Sequence, residues 1–360
     1  LKEVGAGLQT SSNGTKVLYA LGLKQPLSNL QVTPSSREIR HWKTGETWNW
    51  FDLGAASVER YGTPHIMMHR GDLQEVLADA VRLIKPDAIH LNKRCVAVSQ
   101  TNQHAEVRFE DGETANGAYV IGADGIHSKV RESLLGLSQP RFAGCVAWRG
   151  LVPMEKLPPH IARMVGVNWL GPHGHVLHYP VRRGDLMNFI SFVERTDWQI
   201  ESWVTQGTNA ELANDFGGWH VDVHEIIRHI ETPYKWALMV RGPMAVWSNA
   251  RVTLLGDASH PTLPFLGQGG VMAIEDGYVI AACLQKYFDD PAKALARYED
   301  IRRERTSAVV RKAHENRASA FEPKLADESA IAESVTAEWQ MRARERLDWL
   351  YSYDATAIAV

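Results

Sequence analysis

Asp257 closes a short apolar run, Val252-Thr253-Leu254-Leu255-Gly256. After it come Pro261, Pro264, Gly267, Gly269 and Gly270, then a helical apolar pattern through Val271, Ile274, Tyr278, Ile280, Ala281 and Leu284. The run reads as a buried strand ended by a glycine. A carboxylate at that position stands at the carboxyl edge of a strand, where open α/β sheets place their ligands. The glycines let backbone come close to a ligand. The free N–H groups and positive dipole end of the following helix point back into the loop. Together these parts make a cradle for a polar ligand that gains negative charge. An ordinary strand–loop–helix joint needs fewer prolines and glycines in so short a space.

A second carboxylate, Asp124, lies in Ile121-Gly122-Ala123-Asp124-Gly125, which ends a strand and opens a helix holding Lys129, Val130 and Arg131. Asp124 can cap that helix or tie cationic and backbone donors into a fixed arrangement, and the two roles are compatible. Farther on, Pro172-His173-Gly174-His175-Val176-Leu177-His178-Tyr179-Pro180 is rich in ring donors. On a strand, His175, Leu177 and Tyr179 share one face while Val176 and His178 share the other. That alternation breaks up a zinc ligand set, so no metal is expected. His65 and His69 have no carboxylate or cysteine at ligand spacing and read as satisfied loop histidines. Arg70 precedes a helix expected over Leu73 to Ile84. A cation beside a helix start is not self-stabilising, which favours an external anion over a plain surface arginine.

The segment Gly256-Asp257-Ala258-Ser259-His260-Pro261-Thr262-Leu263-Pro264 resembles the Gly-Asp motif of flavin-dependent aromatic hydroxylases, the single-component FAD monooxygenases. Ile121 to Arg131 resembles their Asp-Gly motif. The resemblance runs from Glu3 to about Arg311 and is closest to the hydroxylases of salicylate, 3-hydroxybenzoate and 6-hydroxynicotinate. It implies an α/β fold: a Rossmann-like FAD-binding domain of the p-hydroxybenzoate hydroxylase type over 1–140 and 245–320. An inserted antiparallel-sheet substrate domain (α+β) is expected over 141–244, with 37–60 as candidates to join it, and a C-terminal helical segment over 321–360. FAD is the implied cofactor, NADH or NADPH the co-substrate, and O2 with a small phenolic aromatic acid the reactants, joined through a flavin hydroperoxide.

The resemblance also suggests roles for individual residues. Gly5 and Gly7 fall beside the flavin, Gln9 near the substrate, Arg70 at the FAD phosphates and Val96 at the adenine through its backbone. Asp124 and Gly125, of the Asp-Gly motif, are cofactor-binding by the same resemblance, and Asp257 holds the ribityl hydroxyls. Gly267, Gly269 and Gly270 form the loop and helix start whose N–H groups stabilise the anionic edge of reduced flavin, by the logic of an oxyanion hole. Pro264 shapes the cavity and Phe265 borders the substrate. His175 and Tyr179 lie over the ring, with His175 a candidate general base because imidazole titrates near neutrality. Phe265 stands where some hydroxynicotinate and salicylate enzymes have histidine, the 3-hydroxybenzoate type has glutamine at the Pro264 position, and Gln9 replaces a histidine of the hydroxynicotinate loop. These departures favour a salicylate-like substrate. An epoxidase or a hydroxylase of a larger ring such as a quinolone is the alternative within flavin chemistry.

Glu3 to Gln9 resembles a loop that, in the family, follows the first βαβ unit. Neither the Gly-x-Gly-x-x-Gly fingerprint of that unit nor its ribose-binding acid occurs in this sequence. Such a unit takes ~30 or more residues, so a truncated sequence is expected. A flavin-free binding protein is the alternative from another class.

Composition narrows the field. A net charge of −3 gives no reason to expect nucleic acid as partner. Cys95, Cys145 and Cys283 are unpaired in spacing and read as thiols of a reducing compartment. With no signal peptide and no long apolar run, a cytoplasmic protein without a membrane span is expected. The remaining pattern gives a helix over Asn13 to Leu21, a hairpin from Arg37 to Asp52, and strands over Ile89–Val98, Ala105–Glu110 and Ala118–Ile121. Sheet segments follow at Cys145–Val152, Met164–Trp169, Val176–Pro180 and Met187–Val193, then helices over Asn209–Phe216 and Val221–Ile230. The mixed charges of Pro291 to His314 read as a solvated helix face. Ile331 to Leu350 reads as an amphipathic helix that packs on the nucleotide domain or forms a homodimer contact.

Overall fold

The computed structural model describes residues 7–198, 200, 202, 204–321, 345 and 347–360. The chain begins with β1 (Gly7–Thr10), α1 (Ser12–Ala20), α2 (Lys24–Ser28), β2 (Ser36–His41), β3 (Thr47–Asp52), α3 (Ala55–Tyr61), β4 (Ile66–His69) and α4 (Arg70–Ile84). It continues with β5 (Cys95–Gln100), β6 (Ala105–Phe109), β7 (Thr114–Gly117), β8 (Val120–Gly122) and α5 (Lys129–Leu135). Next come β9 (Arg141–Pro153), β10 (Gly166–Gly171), β11 (Gly174–Val181), β12 (Leu186–Glu194), α6 (Asn209–Asp215), α7 (Val221–Arg228) and β13 (Tyr234–Val240). The last are β14 (Ser248–Asn249), β15 (Val252–Leu254), α8 (Gly269–Lys286) and α9 (Pro291–Ala320).

These elements group into two compact units. One takes Leu1–Leu77, Phe142–Leu238 and Asn316–Tyr353; the other takes Ala78–Arg141, Met239–Glu315 and Asp354–Val360.

The first unit is built on a seven-stranded sheet in the order β13-β9-β12-β11-β10-β2-β3. Strands β9 to β12 follow the expected segments and pair antiparallel. The sheet is not purely antiparallel, however: β2 joins β10 in parallel, because it arrives from a distant part of the chain rather than through a hairpin. Alternation sorts the side chains of this sheet. Trp148, Trp169, Val176 and Phe189 turn to one face and bury against Leu212, Phe216, Val223, Ile226 and Ile227 of the α6–α7 region. Each such side chain contributes roughly 1.5–3 kcal/mol by leaving water. A capping box between Thr208 and Glu211 starts α6, satisfying helix donors that would otherwise be orphaned.

In the second unit β14, β15 and β8 form a three-stranded sheet, with β15 and β8 parallel, and β5, β6 and β7 form a separate meander. The strand expected from Ile89 begins only at Cys95. Pro86, Asp87 and Asn92, the last at φ 61, keep the preceding stretch out of a ladder. Asp111-Gly112 turns the chain as expected, with Gly112 at φ +87. The strand expected at Ala118–Ile121 is shorter, beginning at Val120 as β8, and it pairs with β15; the partner that β6 meets across the turn is β7, Thr114–Gly117. Among the described residues no helix is long and apolar enough to cross a membrane.

The helix expected over Ile331 to Leu350 lies mostly outside the described residues, as does Gly5. Its described end packs in the first unit: Leu347 and Leu350 are buried, and the Tyr351 ring lies 5.6 Å from Tyr61 and 6.1 Å from Phe51.

Candidate functional site

β15 and β8 lie in register, Leu254 beside Gly122, and Leu255 N–H donates to Gly122 O at 2.9 Å. Asp257 and Asp124 therefore follow the carboxyl ends of neighbouring parallel strands, the edge where such sheets hold ligands. Gly122 has no room for a side chain, since a Cβ there would lie 2.6 Å from Val130 Cβ. That absence lets α5 settle directly on the strand.

The turn holding Asp257 is pinned from behind. Gly256 takes φ +61, and its N–H donates to Asp276 Oδ2 at 3.1 Å. Asp276 also receives His260 Nε2 at 2.6 Å and Arg302 Nε at 2.7 Å. Arg302 donates through a second nitrogen to Glu275 at 2.6 Å. Burial alone would raise the Asp276 pKa, but His260 and Arg302 outweigh it and hold it down to about 2. Tyr298 Oη donates to Leu254 O at 3.2 Å, fixing the end of β15 itself. Asp257, by contrast, is exposed.

Beyond the turn, Pro264 opens a short helical turn over Pro264–Leu266, and Pro264 and Phe265 are half-buried. Gly267 follows at φ +64 with open space where a side chain would be. α8 then starts at Gly269 with no side-chain cap and no acidic residue in its first turn among the described residues. A Cβ at Gly269 would touch Thr262 Cγ2 at 3.5 Å, an ordinary contact, and Gly270 is exposed. The helix start thus offers backbone donors and positive potential to an oxygen or nitrogen that gains charge. A flavin's pyrimidine edge fits that description.

Asp124 acts as the cap of α5. Its Oδ1 accepts from Ser128 Oγ at 2.5 Å, and its Oδ2 from the N–H groups of Lys129 at 2.7 Å and Val130 at 3.2 Å. Ser128 Oγ accepts in turn from Arg131 N–H at 2.8 Å. The buried Arg131 guanidinium donates to Ile126 O and, at 2.9 Å, to Ala258 O. Arg131 is therefore the tie between the Asp124 and Asp257 turns. Gly125 takes φ +78 with no neighbour near its Cβ position. Val96 falls where the β5–β6 register shifts between Cys95 and Ala97, and its side chain is 37% exposed, so a bulge withdraws its backbone from the regular ladder.

In the first unit β11 presents its residues as the alternation requires. His175 pairs with Phe192 and Tyr179 with Asn188 across to β12. The His175 ring lies 5.2 Å from that of Phe192. Burial, and then the charge of Arg37, lower the His175 pKa to about 4, while burial raises that of Tyr179. Gly7 N–H donates to Asn188 Oδ1 at 2.7 Å, and a Cβ on Gly7 would lie 2.6 Å from Tyr179 Cε2 and Oη. The missing side chain at Gly7 is therefore needed for packing on Tyr179. Gln9 Oε1 accepts from the Arg37 guanidinium and lies 3.2 Å from His65 Nε2. Arg70 is exposed at the first position of α4. His69 is a buried strand residue rather than a loop one, and its Nδ1 accepts from Gly71 N–H at 3.2 Å.

His178 faces the other way, as Val176 does. Neither of its ring nitrogens has a hydrogen-bond partner among the described residues. Burial, with Arg40 and Arg163 nearby, takes its pKa down to about 3. Among the described residues no cluster of His, Cys, Asp and Glu could hold a metal.

Sequence reasoning missed Arg37, Asp276 and Arg302. For Arg37 the signal was present, because alternation in β2 puts it on the face shared with the buried Ile39. Asp276 carries no such mark beyond lying one turn from Met272 on the buried side of α8. The expectation of a solvated face on α9 is corrected. Arg302 is fully buried and Glu299 and Arg305 are nearly so, because α9 packs its charges onto the Asp257 turn and β14. Glu299 accepts from the N–H groups of Trp247 at 3.1 Å and Ser248 at 2.8 Å.

Comparison with known proteins gives the family of the chain. The family described as FAD binding domain matches residues 10–313. A 3-amino-4-hydroxybenzoate 2-monooxygenase of Streptomyces platensis is 36% identical over 364 residues, covering 99% of this chain and 88% of its own. Klebsiella pneumoniae HpxO, solved with FAD and uric acid, superposes with a TM-score of 0.82 at 28% identity, covering 98% of this chain and 88% of its own. A salicylate hydroxylase substrate complex gives a TM-score of 0.80 at 27% identity, covering 98% and 89%.

Proposed function

The chain belongs to the FAD-binding family of flavin-dependent aromatic hydroxylases, and on that premise we propose that it hydroxylates a phenolic aromatic acid of the salicylate type with O2 and NADH or NADPH. The observation that carries this reading is the pair of parallel strands β8 and β15, whose carboxyl ends lead into the Asp124 and Asp257 turns beside the uncapped start of α8. When bound, FAD supplies the oxygen activation that no side chain can perform.

The residues divide the remaining work. Asp257, exposed at the end of β15, would hold the ribityl hydroxyls of FAD. The N–H groups of Gly269 and Gly270, with Gly267 before them, would hold a cofactor edge that carries negative charge. Gly125 and the bulged backbone of Val96 would serve the nucleotide end of FAD, and Arg70 stays the candidate for its phosphates. Asp124 works indirectly, by capping α5 and so placing Arg131 against Ala258 O. Gly7 keeps β1 flush with Tyr179. Pro264 and Phe265 bound the space for the ring.

His175 and Tyr179 orient the phenol. With a pKa near 4 the imidazole is neutral at pH 7, so it hydrogen-bonds the phenolic oxygen but is too weak a base to keep its proton. His175 is therefore not a general base, because burial takes it out of the ordinary imidazole range. Tyr179 stays protonated and acts as a donor. Three free thiols, Cys95, Cys145 and Cys283, support a cytoplasmic location.

The test is direct. The purified protein is expected to hold or take up FAD, to show flavin absorbance, and to oxidise NADH or NADPH faster when a phenolic acid is added. Stimulation by a quinolone but by no phenolic acid would move the substrate class. A protein that binds no FAD would leave a binding scaffold as the better description.

A further inference from the structure

The face of the seven-stranded sheet that carries Tyr179 is covered unevenly. Around Tyr179 itself β1 and β4 roof it. A Cβ on Gly7 would lie 2.6 Å from Tyr179 Oη, and one on Gly166 would lie 2.8 Å from Met67 Cε and 3.9 Å from Tyr179 Cβ. One row along, the cover stops. Asn168 of β10, Leu177 of β11 and Ile190 of β12 stand opposite one another, and all three are half-buried. Their strands are central, so no sheet edge accounts for the exposure. The row closes at both ends, on buried Ile39 of β2 and buried Arg149 of β9. Along β11, His175 and Tyr179 share the face of Leu177, each roughly 7 Å from it. An apolar floor of Leu177 and Ile190 thus lies between an imidazole and a phenol, with one amide at its side.

That amide is idle at its acceptor end. Asn168 Oδ1 has no hydrogen-bond partner among the described residues. A sheltered carbonyl oxygen without a donor is unfavourable, and such a group calls for an explanation. The terminal torsion of an asparagine is broad, so the oxygen turns to the open side at small cost.

We propose that Asn168 is a specificity residue: its Oδ1 accepts from an amino or hydroxyl group on the substrate ring, so the enzyme selects a phenolic acid that carries such a third substituent. This deepens the proposed function and rests on its reading of the His175–Tyr179 face as the substrate site. A ring lying on Leu177 has His175 along the strand and Asn168 across it, roughly 5 Å away at the usual strand spacing. The contact from Asn168 therefore meets a different ring position from those facing His175 and Tyr179. A carbonyl oxygen calls for a donor, and a site built to hydrogen-bond a substrate group rejects the analogue that lacks it.

Neighbouring polar groups do not serve the same end. Asn188 shares the Tyr179 face, but its Oδ1 already accepts from Gly7 N–H at 2.7 Å. His178 and Ser191 turn to the opposite face with Val176, toward the α6–α7 region.

The experiment uses the FAD-loaded protein and reads Kd from the perturbation of bound-flavin absorbance. Each ring-aminated salicylate is paired with the salicylate that carries methyl at the same carbon, which keeps the size and removes the donor. Wild type is expected to prefer amino over methyl at one ring position by about tenfold, the scale of one hydrogen bond left unmade. Asn168→Leu, similar in size, should reduce that preference below about threefold, with the Kd for FAD unmoved. Asn168→Asp keeps an acceptor and should keep the preference. Leu177→Trp fills the floor and should weaken all of these acids together. No amino preference at any position in wild type, or one that survives Asn168→Leu, would overturn the role of Asn168 and leave the hydroxylase assignment intact. Undiminished salicylate binding by Leu177→Trp, or a wild-type flavoprotein that binds none of these acids, would instead remove the substrate-face reading, and the role of Asn168 with it.

Discussion

Asp276 and Arg302 form an ion pair with neither side chain exposed to solvent, Arg302 Nε lying 2.7 Å from Asp276 Oδ1. Its position gives it meaning. The other Asp276 oxygen receives the backbone N–H of Gly256, the residue before Asp257, and the imidazole of His260 just after it. A long helix, α9, is thereby made to dictate the shape of a turn over forty residues upstream (Gly256 against Arg302). Buried charge of this kind adds little net stability when complete and costs much when one partner is removed.

Arg302→Met should therefore destabilise the protein by about 3–5 kcal/mol, since it strands the Asp276 and Glu275 carboxylates. Urea unfolding at neutral pH measures the loss, and flavin retained on ultrafiltration reports the turn. Arg302→Met with Asp276→Leu should recover part of the stability without recovering flavin. A single variant as stable and as yellow as wild type would contradict the role given to the pair.

Stability should fall as the solution is acidified through the histidine range. His175 and His178 have pKa values lowered to about 4 and about 3 from an ordinary 6.5. Between 6.5 and those values the unfolded chain takes up protons that the folded chain refuses, so unfolding becomes easier as pH drops. The Asp276 contribution, with its pKa lowered to about 2 from 3.8, is present above 3.8 and is lost only below it. Urea midpoints at pH 7.5 and 5 should separate wild type from His178→Leu, with a smaller drop in the variant. Equal drops would show that His178 is not held neutral.

Two glycine substitutions should behave oppositely. Gly7→Ala places a methyl 2.6 Å from Tyr179 Oη and 2.7 Å from Asn188 Cγ, so something must move; overpacking of this sort costs about 1–3 kcal/mol. Substrate affinity should fall with it. Gly269→Ala meets only the Thr262 methyl at 3.5 Å, so the melting temperature should hold. If that backbone meets the flavin, the FAD Kd should still rise, on the order of tenfold for a displaced contact. A Gly269→Ala protein with unaltered FAD affinity would remove α8 from the cofactor site.

His175→Asn and Tyr179→Phe should each raise the KM for the aromatic acid and increase the fraction of NADH consumed as peroxide. Product and peroxide measured together give the coupling. Unchanged coupling and affinity in both variants would take the pair out of the substrate site.

Much of this arrangement was legible in the residues. The glycine and proline density around Asp257 marked a tightly turned backbone, with Gly256 and Gly267 at positive φ, and the β11 alternation correctly divided His175 and Tyr179 from His178. Local patterns of this kind survive folding because their period is set by the backbone itself. The misses share a different cause. Arg302 and Glu299 read as surface charges because a mixed-sign helix normally faces water, and only the turn packed beneath α9 reverses that. Asp124 offered two compatible roles, and which donors its oxygens take is settled by how close α5 can come to Gly122.

The most direct trial of the whole account is turnover under isotopically labelled O2. The FAD-loaded protein, given NADH or NADPH and salicylate, should yield a more hydroxylated acid carrying one labelled oxygen atom in its ring hydroxyls, with NAD(P)H consumed in proportion. Nucleotide oxidation that no phenolic acid accelerates, or a product whose new oxygen comes from water, would contradict it.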